Sequence, residues 1–141
     1  MKLLESCLHA ARAQPRRVVF PDAIDRRAIE AAQYLARHGL ARPLLLGNPF
    51  ALRRYCKQQG VVLGDVAIVD PERSAWLEDF VEAYRAHRPG VLPEEARAQL
   101  LDPLWFGAMM LAQGDTDLCI AGNLSATASV LRAGLRVVGL A

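Results

Sequence analysis

Between an apolar run and a helical pattern, the stretch Ala121-Gly122-Asn123-Leu124-Ser125-Ala126-Thr127-Ala128 sets a glycine, an amide and two hydroxyls. Gly122 permits close backbone approach, and the free N–H groups and positive dipole end of an opening helix favour an anion there. Arg132 follows Ser125 by seven residues. On a 3.6-residue helix that spacing lies about 20° from eclipsed, and the arginine side chain tilts back toward the helix start. Its guanidinium would then reach down the same face to an anion cradled by Gly122, Asn123, Ser125 and Thr127. The other reading is that Ser125 only caps the helix and Arg132 lies in solvent.

Asp22, Asp25, Arg26 and Arg27 form a second polar cluster after an apolar run. By spacing alone it is also what a capped helix with a surface ion pair looks like, a pair worth only ~0 to 1 kcal/mol. Arg85, His87 and Arg88 end a helical pattern, where cations suit the negative end of the dipole. The three histidines, His9, His38 and His87, have no second ligand at a useful spacing, so no metal site is expected. Cys119 reads as a small hydrophobe rather than a nucleophile. Neither G-x-x-x-x-G-K-[ST] nor G-x-G-x-x-G occurs, which leaves nucleotide loops of those kinds without support.

The elements that must position these groups alternate between strand and helix. Leu3, Leu4, Cys7, Leu8 and Ala11 recur at helical spacing before Pro15. Arg16 to Phe20 reads as a strand stopped by Pro21, and Arg26 to His38 as a helix with Asp22 or Asp25 as cap and Gly39 as stop. Pro43 to Leu46 is a second strand, Phe50 to Gln59 a helix closed by Gly60, and Val66 to Val69 a third strand. Helices follow over Ser74 to His87, Pro93 to Leu101 and Pro103 to Gln113, the last two opened by proline. Leu118 to Ile120 is a strand, Ser125 to Leu135 a helix, and Val137 to Leu140 a last strand. Strands that are apolar throughout are buried on both faces, and intervening helices require right-handed parallel crossovers. The expected fold is α/β: a three-layer, doubly wound, mainly parallel sheet. Ligands of such sheets sit beyond the carboxyl ends of the strands, which directs attention to the turns after Phe20, Leu46, Val69 and Ile120.

At 141 residues the chain fits one domain, and 52% hydrophobic with 23% charged residues supports a packed core. The net charge of +2 is too small for a general nucleic-acid binder. All the basic residues except Lys2 and Lys57 are arginine, the better bidentate partner of phosphate and carboxylate. Three well-separated cysteines give neither a disulfide framework nor a zinc site, which points to a reducing cytosolic compartment. No run approaches the ~20 apolar residues of a membrane span. Because the chain ends within an apparent core strand, it reads as the front part of something longer.

Three segments carry a family resemblance: VVFPDAIDRRAIEAAQYL, GLARPLLLGNP and DPLWFGAMMLAQGDTDLCIAGNLSATASVLRAGLRVVG. In order and separation they resemble the phosphate acetyltransferases, most closely the ethanolamine-utilization type, from Arg16 to Ala141. The resemblance implies reversible acetyl transfer between coenzyme A and inorganic phosphate, with acetyl phosphate as the other partner. Acetyl coenzyme A is then a substrate, and neither a permanently bound cofactor nor a metal is called for. It also implies two α/β domains with the active site in the cleft between them, usually in homodimers. Residues 1–141 would be the amino-terminal part of the first domain, with the remainder absent.

By the same resemblance Arg132 falls on the arginine that ends the family's Ser/Thr-rich motif. Arg85 falls on the one late in the helix before its D-x-x-x-F-A/G segment. Both are associated with phosphate or coenzyme A binding and with catalysis. Ser125 and Thr127 match the polar motif, while Asp22, Asp25 and Arg27 match an early P-E/D-x-x-D-x-R signature. Most members carry histidine in place of Ser125 and proline in place of Ala133; the ethanolamine-utilization type is similar to this sequence at both. The family's carboxy-terminal region supplies a serine, an aspartate proposed as base and further arginines. The chain alone is therefore expected to have little or no activity, and its unpaired sheet edge to make it oligomeric or poorly soluble. Expected surroundings are the cytoplasm, with association to a bacterial microcompartment as a refinement, and no membrane partner. Alternatives are a phosphate butyryltransferase and a non-catalytic, acyl-CoA-binding regulatory module.

Overall fold

The computed structural model describes residues 2–139. Four strands, β1 (Arg16–Phe20), β2 (Ala41–Leu46), β3 (Ala67–Val69) and β4 (Leu118–Cys119), form one parallel sheet in the order β3-β2-β1-β4. Proline on either side bounds β1, since Pro15 and Pro21 each lack an N–H for the ladder. Alternate residues of the strands enter two different cores. Val18, Phe20 and Leu45 pack under α2 (Arg26–Arg37) and α3 (Pro49–Gln59), with Ile29 and Leu52 fully buried there. Val19 and Leu46 face α4 (Trp76–His87), α5 (Pro93–Leu100) and α6 (Pro103–Ala112). Phe80 and Phe106 meet edge to face at 5.0 Å in that second core. Burying each such side chain contributes roughly 1.5 to 3 kcal/mol, so both faces of the sheet are held mainly by apolar burial. The architecture is the expected three-layer α/β sandwich.

Local signals explain most boundaries. Asp25, Asn48 and Asp102 accept N–H bonds in the first turns of α2, α3 and α6, as N-caps do. Gly60 closes α3 in the left-handed conformation, with φ of 66°. A 3-10 turn, Pro71–Arg73, separates β3 from α4, so that helix begins two residues later than the sequence suggests. Helix α1 (Lys2–Ala13) forms as expected but contributes no residue to the core.

The expected last strand is corrected. Residues Gly134–Val138 make a π-helical turn that continues α7 (Thr127–Ala133), closed by the Gly139 N–H donating to the Gly134 carbonyl at 2.9 Å. Val137 packs against the α4–α6 core, so its apolar character serves a helical turn. A short apolar run cannot by itself separate the two. Leu140, the end of the expected strand, lies outside the described residues. Among the described residues strand β4 pairs only with β1, and its Leu118, with Ile120 just beyond it, stays about half exposed at 50% and 48%. This flank of the sheet is apolar and uncovered among the described residues.

Candidate functional site

Strand β1 has β2 on one side and β4 on the other, and the chain leaves their carboxyl ends toward opposite faces of the sheet. After β1 it enters α2, in the core it shares with α3; after β4 it enters α7, whose Val130 and Ala133 join the other core. That divergence is the switch point at which open α/β sheets bind ligands. Both polar clusters read from the sequence meet there.

Asp22 is the hub. Its carboxylate accepts the backbone N–H groups of Gly122 at 3.0 Å, Leu124 at 3.2 Å and Ser125 at 3.0 Å, and the Ser125 hydroxyl at 2.6 Å. Burial, the largest single influence, pushes the Asp22 carboxyl up, but the Ser125 hydroxyl and the three N–H groups together outweigh it and hold it below the ordinary range. Gly122 sits at φ of 98°, a conformation that L side chains rarely adopt, and this turns its N–H onto Asp22.

Asp25 ties the second layer together. It is buried, caps α2 through the Arg27 N–H at 3.0 Å, and accepts the Arg27 guanidinium at 3.2 and 2.9 Å. The Arg27 side chain, above all, keeps the Asp25 carboxyl below its usual range. The Asn123 amide donates to Asp25 at 2.9 Å and to the Asp22 carbonyl at 2.8 Å, while the Asn123 carbonyl accepts from Arg27 at 3.2 Å. Asp22, Asp25, Arg27, Gly122, Asn123 and Ser125 thus form one hydrogen-bonded network.

Three sequence readings change in detail. The N–H groups of Gly122 and Ser125, expected to face an outside anion, point at Asp22. Ser125 precedes α7, which starts at Thr127 with Ala126 as a cap lacking any side-chain bond, so Ser125 neither caps the helix nor shares a helical face with Arg132. The seven-residue argument fails for that reason. On α7 itself the residues one turn before Arg132 are Ala128 and Ser129, and a helical side chain leans back over that turn. Arg132 is exposed and takes part in none of the ion pairs among the described residues, and Thr127 is exposed at the helix start. Arg85 is not brought into the network: its Nε donates to the Val91 carbonyl at 3.0 Å, in the connection between α4 and α5.

The geometry leaves a distinct division of labour. Internal acceptors take the donors of the 122–125 loop, whereas the first turn of α7 and the Arg132 cation remain available to an anion. Cys119, just before the loop, has its thiol pushed up to about 11 by burial, with the Asp22 charge adding to the effect. It stays protonated near neutral pH and is a poor nucleophile, as the sequence suggests. Among the described residues no group of three or more His, Cys, Asp or Glu side chains gathers to hold a metal ion, and no helix is long and apolar enough to cross a membrane. Sequence reasoning missed the role of Asp22 as the loop's acceptor.

Comparison with known proteins gives a consistent family. The family described as phosphate acetyl/butaryl transferase matches residues 2–141. The phosphate acetyltransferase of Treponema pallidum (strain Nichols) is 36% identical over 143 aligned positions, covering 99% of this chain and 42% of that protein. The phosphate acetyltransferase of Bacillus subtilis (strain 168) is 34% identical, covering 86% of this chain and 38% of its own length. A crystal structure of a phosphotransacetylase from Streptococcus pyogenes superposes with a TM-score of 0.87 at 28% identity, over 96% of this chain and 42% of that one. The EutD phosphotransacetylase from Staphylococcus aureus shares the fold with a TM-score of 0.89 at 21% identity. The chain spans about two fifths of the length of these relatives. With its three-layer parallel sheet, and with the profile matched from residue 2 to residue 141, the chain belongs to the phosphate acetyl/butaryl transferase family.

Proposed function

We propose that this chain is the phosphate-handling part of a phosphate acetyltransferase, whose whole transfers an acetyl group reversibly between coenzyme A and inorganic phosphate, with acetyl phosphate as the other partner. The observation that carries the reading is Arg132: a cation outside the ion pairs of the described residues, in the last turn of a short helix that opens at the sheet's switch point. In this reading the Arg132 guanidinium and the first turn of α7 at Thr127 hold the phosphoryl group. The network of Asp22, Asp25, Arg27, Gly122, Asn123 and Ser125 keeps the loop in shape. Arg85, in this reading, serves the coenzyme A phosphates from its separate position.

The chemistry sets what else is required. Attack of the coenzyme A sulfur on the carbonyl carbon of acetyl phosphate forms a C–S bond, and the C–O bond to phosphate then breaks. The thiol proton needs a base, the carbonyl oxygen needs donors as charge develops on it, and the departing phosphate needs cations. Arg132 answers the last need. We assign the base and the oxyanion donors to the part of the relatives' length that this chain does not match, and expect no turnover from the chain alone. Ser125 and Ala133 favour the ethanolamine-utilization type, acting in the cytosol as a homo-oligomer. The uncovered apolar flank at Leu118 and Ile120 supports the need for further elements. Sedimentation of the isolated chain is expected to show self-association rather than a sharp monomer.

The test joins this chain to the portion of the Treponema pallidum phosphate acetyltransferase that follows its matched region. The fusion should make acetyl phosphate from acetyl coenzyme A and phosphate, and Arg132→Ala in it should lower turnover about 100-fold. A well-folded fusion without activity, or an Arg132→Ala variant with unchanged turnover, counts against the reading.

A further inference from the structure

The loop of residues 121–126 is shaped by a side chain from elsewhere in the chain. Four donors from three residues of the loop, Gly122, Leu124 and Ser125, converge on the Asp22 carboxylate, and three of them are backbone N–H groups. Successive N–H groups turned to one side make an anion-binding concavity. Here the concavity is filled from within, by a carboxylate that follows β1 by two residues. On its far side the loop is held again, because the Asn123 amide bridges the Asp22 carbonyl and the buried Asp25 carboxylate. The loop runs straight into Ala126 and the first turn of α7, so its backbone sets where that helix begins.

We infer that Asp22 is a positioning residue: acting as an internal anion, it fixes the loop and the start of α7 so that Arg132 meets a bound phosphoryl group. The inference rests on the function proposed above and adds to it a residue that touches no substrate. Two physical features set it apart from an ordinary surface contact. The carboxylate is half-buried and its bonds span about 100 residues of sequence, joining the carboxyl ends of the two strands at the switch point. The acceptor must also be an anion or a carbonyl-like oxygen, because an amide nitrogen turned into the same place would meet N–H groups head on.

The test uses the purified 141-residue chain with acetyl phosphate as probe, its affinity read by NMR titration and its fold by thermal melting. Amide exchange at Gly122, Leu124 and Ser125 is followed in parallel. Asp22→Ala is expected to keep a cooperative melt, to weaken acetyl phosphate at least about tenfold, and to regain binding when sodium formate is added to refill the concavity. Asp22→Asn, whose amide oxygen can still accept the three N–H groups, should keep more of the binding than Asp22→Ala. Unchanged affinity in Asp22→Ala overturns the inference. Tighter binding overturns it too, since the carboxylate would then be competing with the phosphoryl group for the same N–H groups. A wild-type chain that binds no acetyl phosphate defeats the proposed function. Asp22 is then judged by exchange alone: faster exchange in Asp22→Ala that formate slows supports the inference, and unchanged exchange defeats it. Should Asp22→Ala not fold, Ser125→Ala removes one of the four donors and must weaken acetyl phosphate or speed exchange in the loop; if it does neither, the inference fails.

Discussion

The two ends of the β1–β4 pair are fastened by the same chemistry and do different things. At the amino ends, Asp117 accepts the Arg17 N–H at 2.8 Å and the Arg17 guanidinium at 3.3 and 3.1 Å, while the Thr116 hydroxyl donates to the Arg17 carbonyl at 3.0 Å. At the carboxyl ends, Asp22 and Asp25 gather N–H groups and a guanidinium in the same manner. The amino-end clasp uses every group it brings in joining two strands. The carboxyl-end network is also closed on itself, but it sits under a helix start and holds a loop that delivers Arg132. A carboxylate gathering donors is therefore not itself a sign of function. In the function proposed above, its place relative to the strand ends is what makes one cluster a rivet and the other a scaffold.

Substitutions at the two ends should separate these roles. The largest effect is expected for Asp25→Ala, which strips the cap from α2 and leaves the half-buried Asn123 amide short of an acceptor. Urea unfolding should show a loss of about 2 kcal/mol, and a loss within experimental error would mean that the network is not holding the two loops together. Ser125→Ala comes next, removing one of the four bonds to Asp22 at a cost of about 1 kcal/mol in the same measurement. It should also weaken acetyl phosphate several-fold. An effect on stability without one on binding would reduce the carboxyl-end network to a second rivet.

The smallest effect at neutral pH is expected at the amino end. The Arg17 side chain, above all, with its backbone N–H, lowers the Asp117 carboxyl from 3.8 to about 2. A carboxylate depressed by folding contributes stability that is complete above its unfolded value near 4 and disappears as pH falls from there to about 2. Asp117→Asn should therefore flatten the loss of stability across that acid window and leave acetyl phosphate binding near neutral pH unaltered. Impaired binding in this variant would erase the distinction between the two ends.

Much of the scaffold was legible in advance because its determinants are local. Prolines 15 and 21 bracket β1, prolines open α5 and α6, and Gly60 ends α3, each acting within a turn of its own position. The two apolar cores follow from strands without polar alternation. Val137 reads as part of a strand in the sequence but sits in a helical turn, because a brief apolar run suits either and packing against α6 and its neighbours decides between them. Nearly every residue of the carboxyl-end network could be named from the sequence, but not its partners. Asp22 and Ser125 lie 103 residues apart, and only the parallel pairing of β1 with β4 brings them to 2.6 Å. Ser125 could not be assigned a helical face before the start of α7 was known.

A structure of the chain soaked with acetyl phosphate tests the central assignment most directly. The phosphoryl oxygens should lie within hydrogen-bond distance of the Arg132 guanidinium at the first turn of α7, with Asp22 still bonded to Gly122, Leu124 and Ser125. A phosphoryl group bound away from Arg132, or one that has displaced Asp22 from the loop, would contradict it.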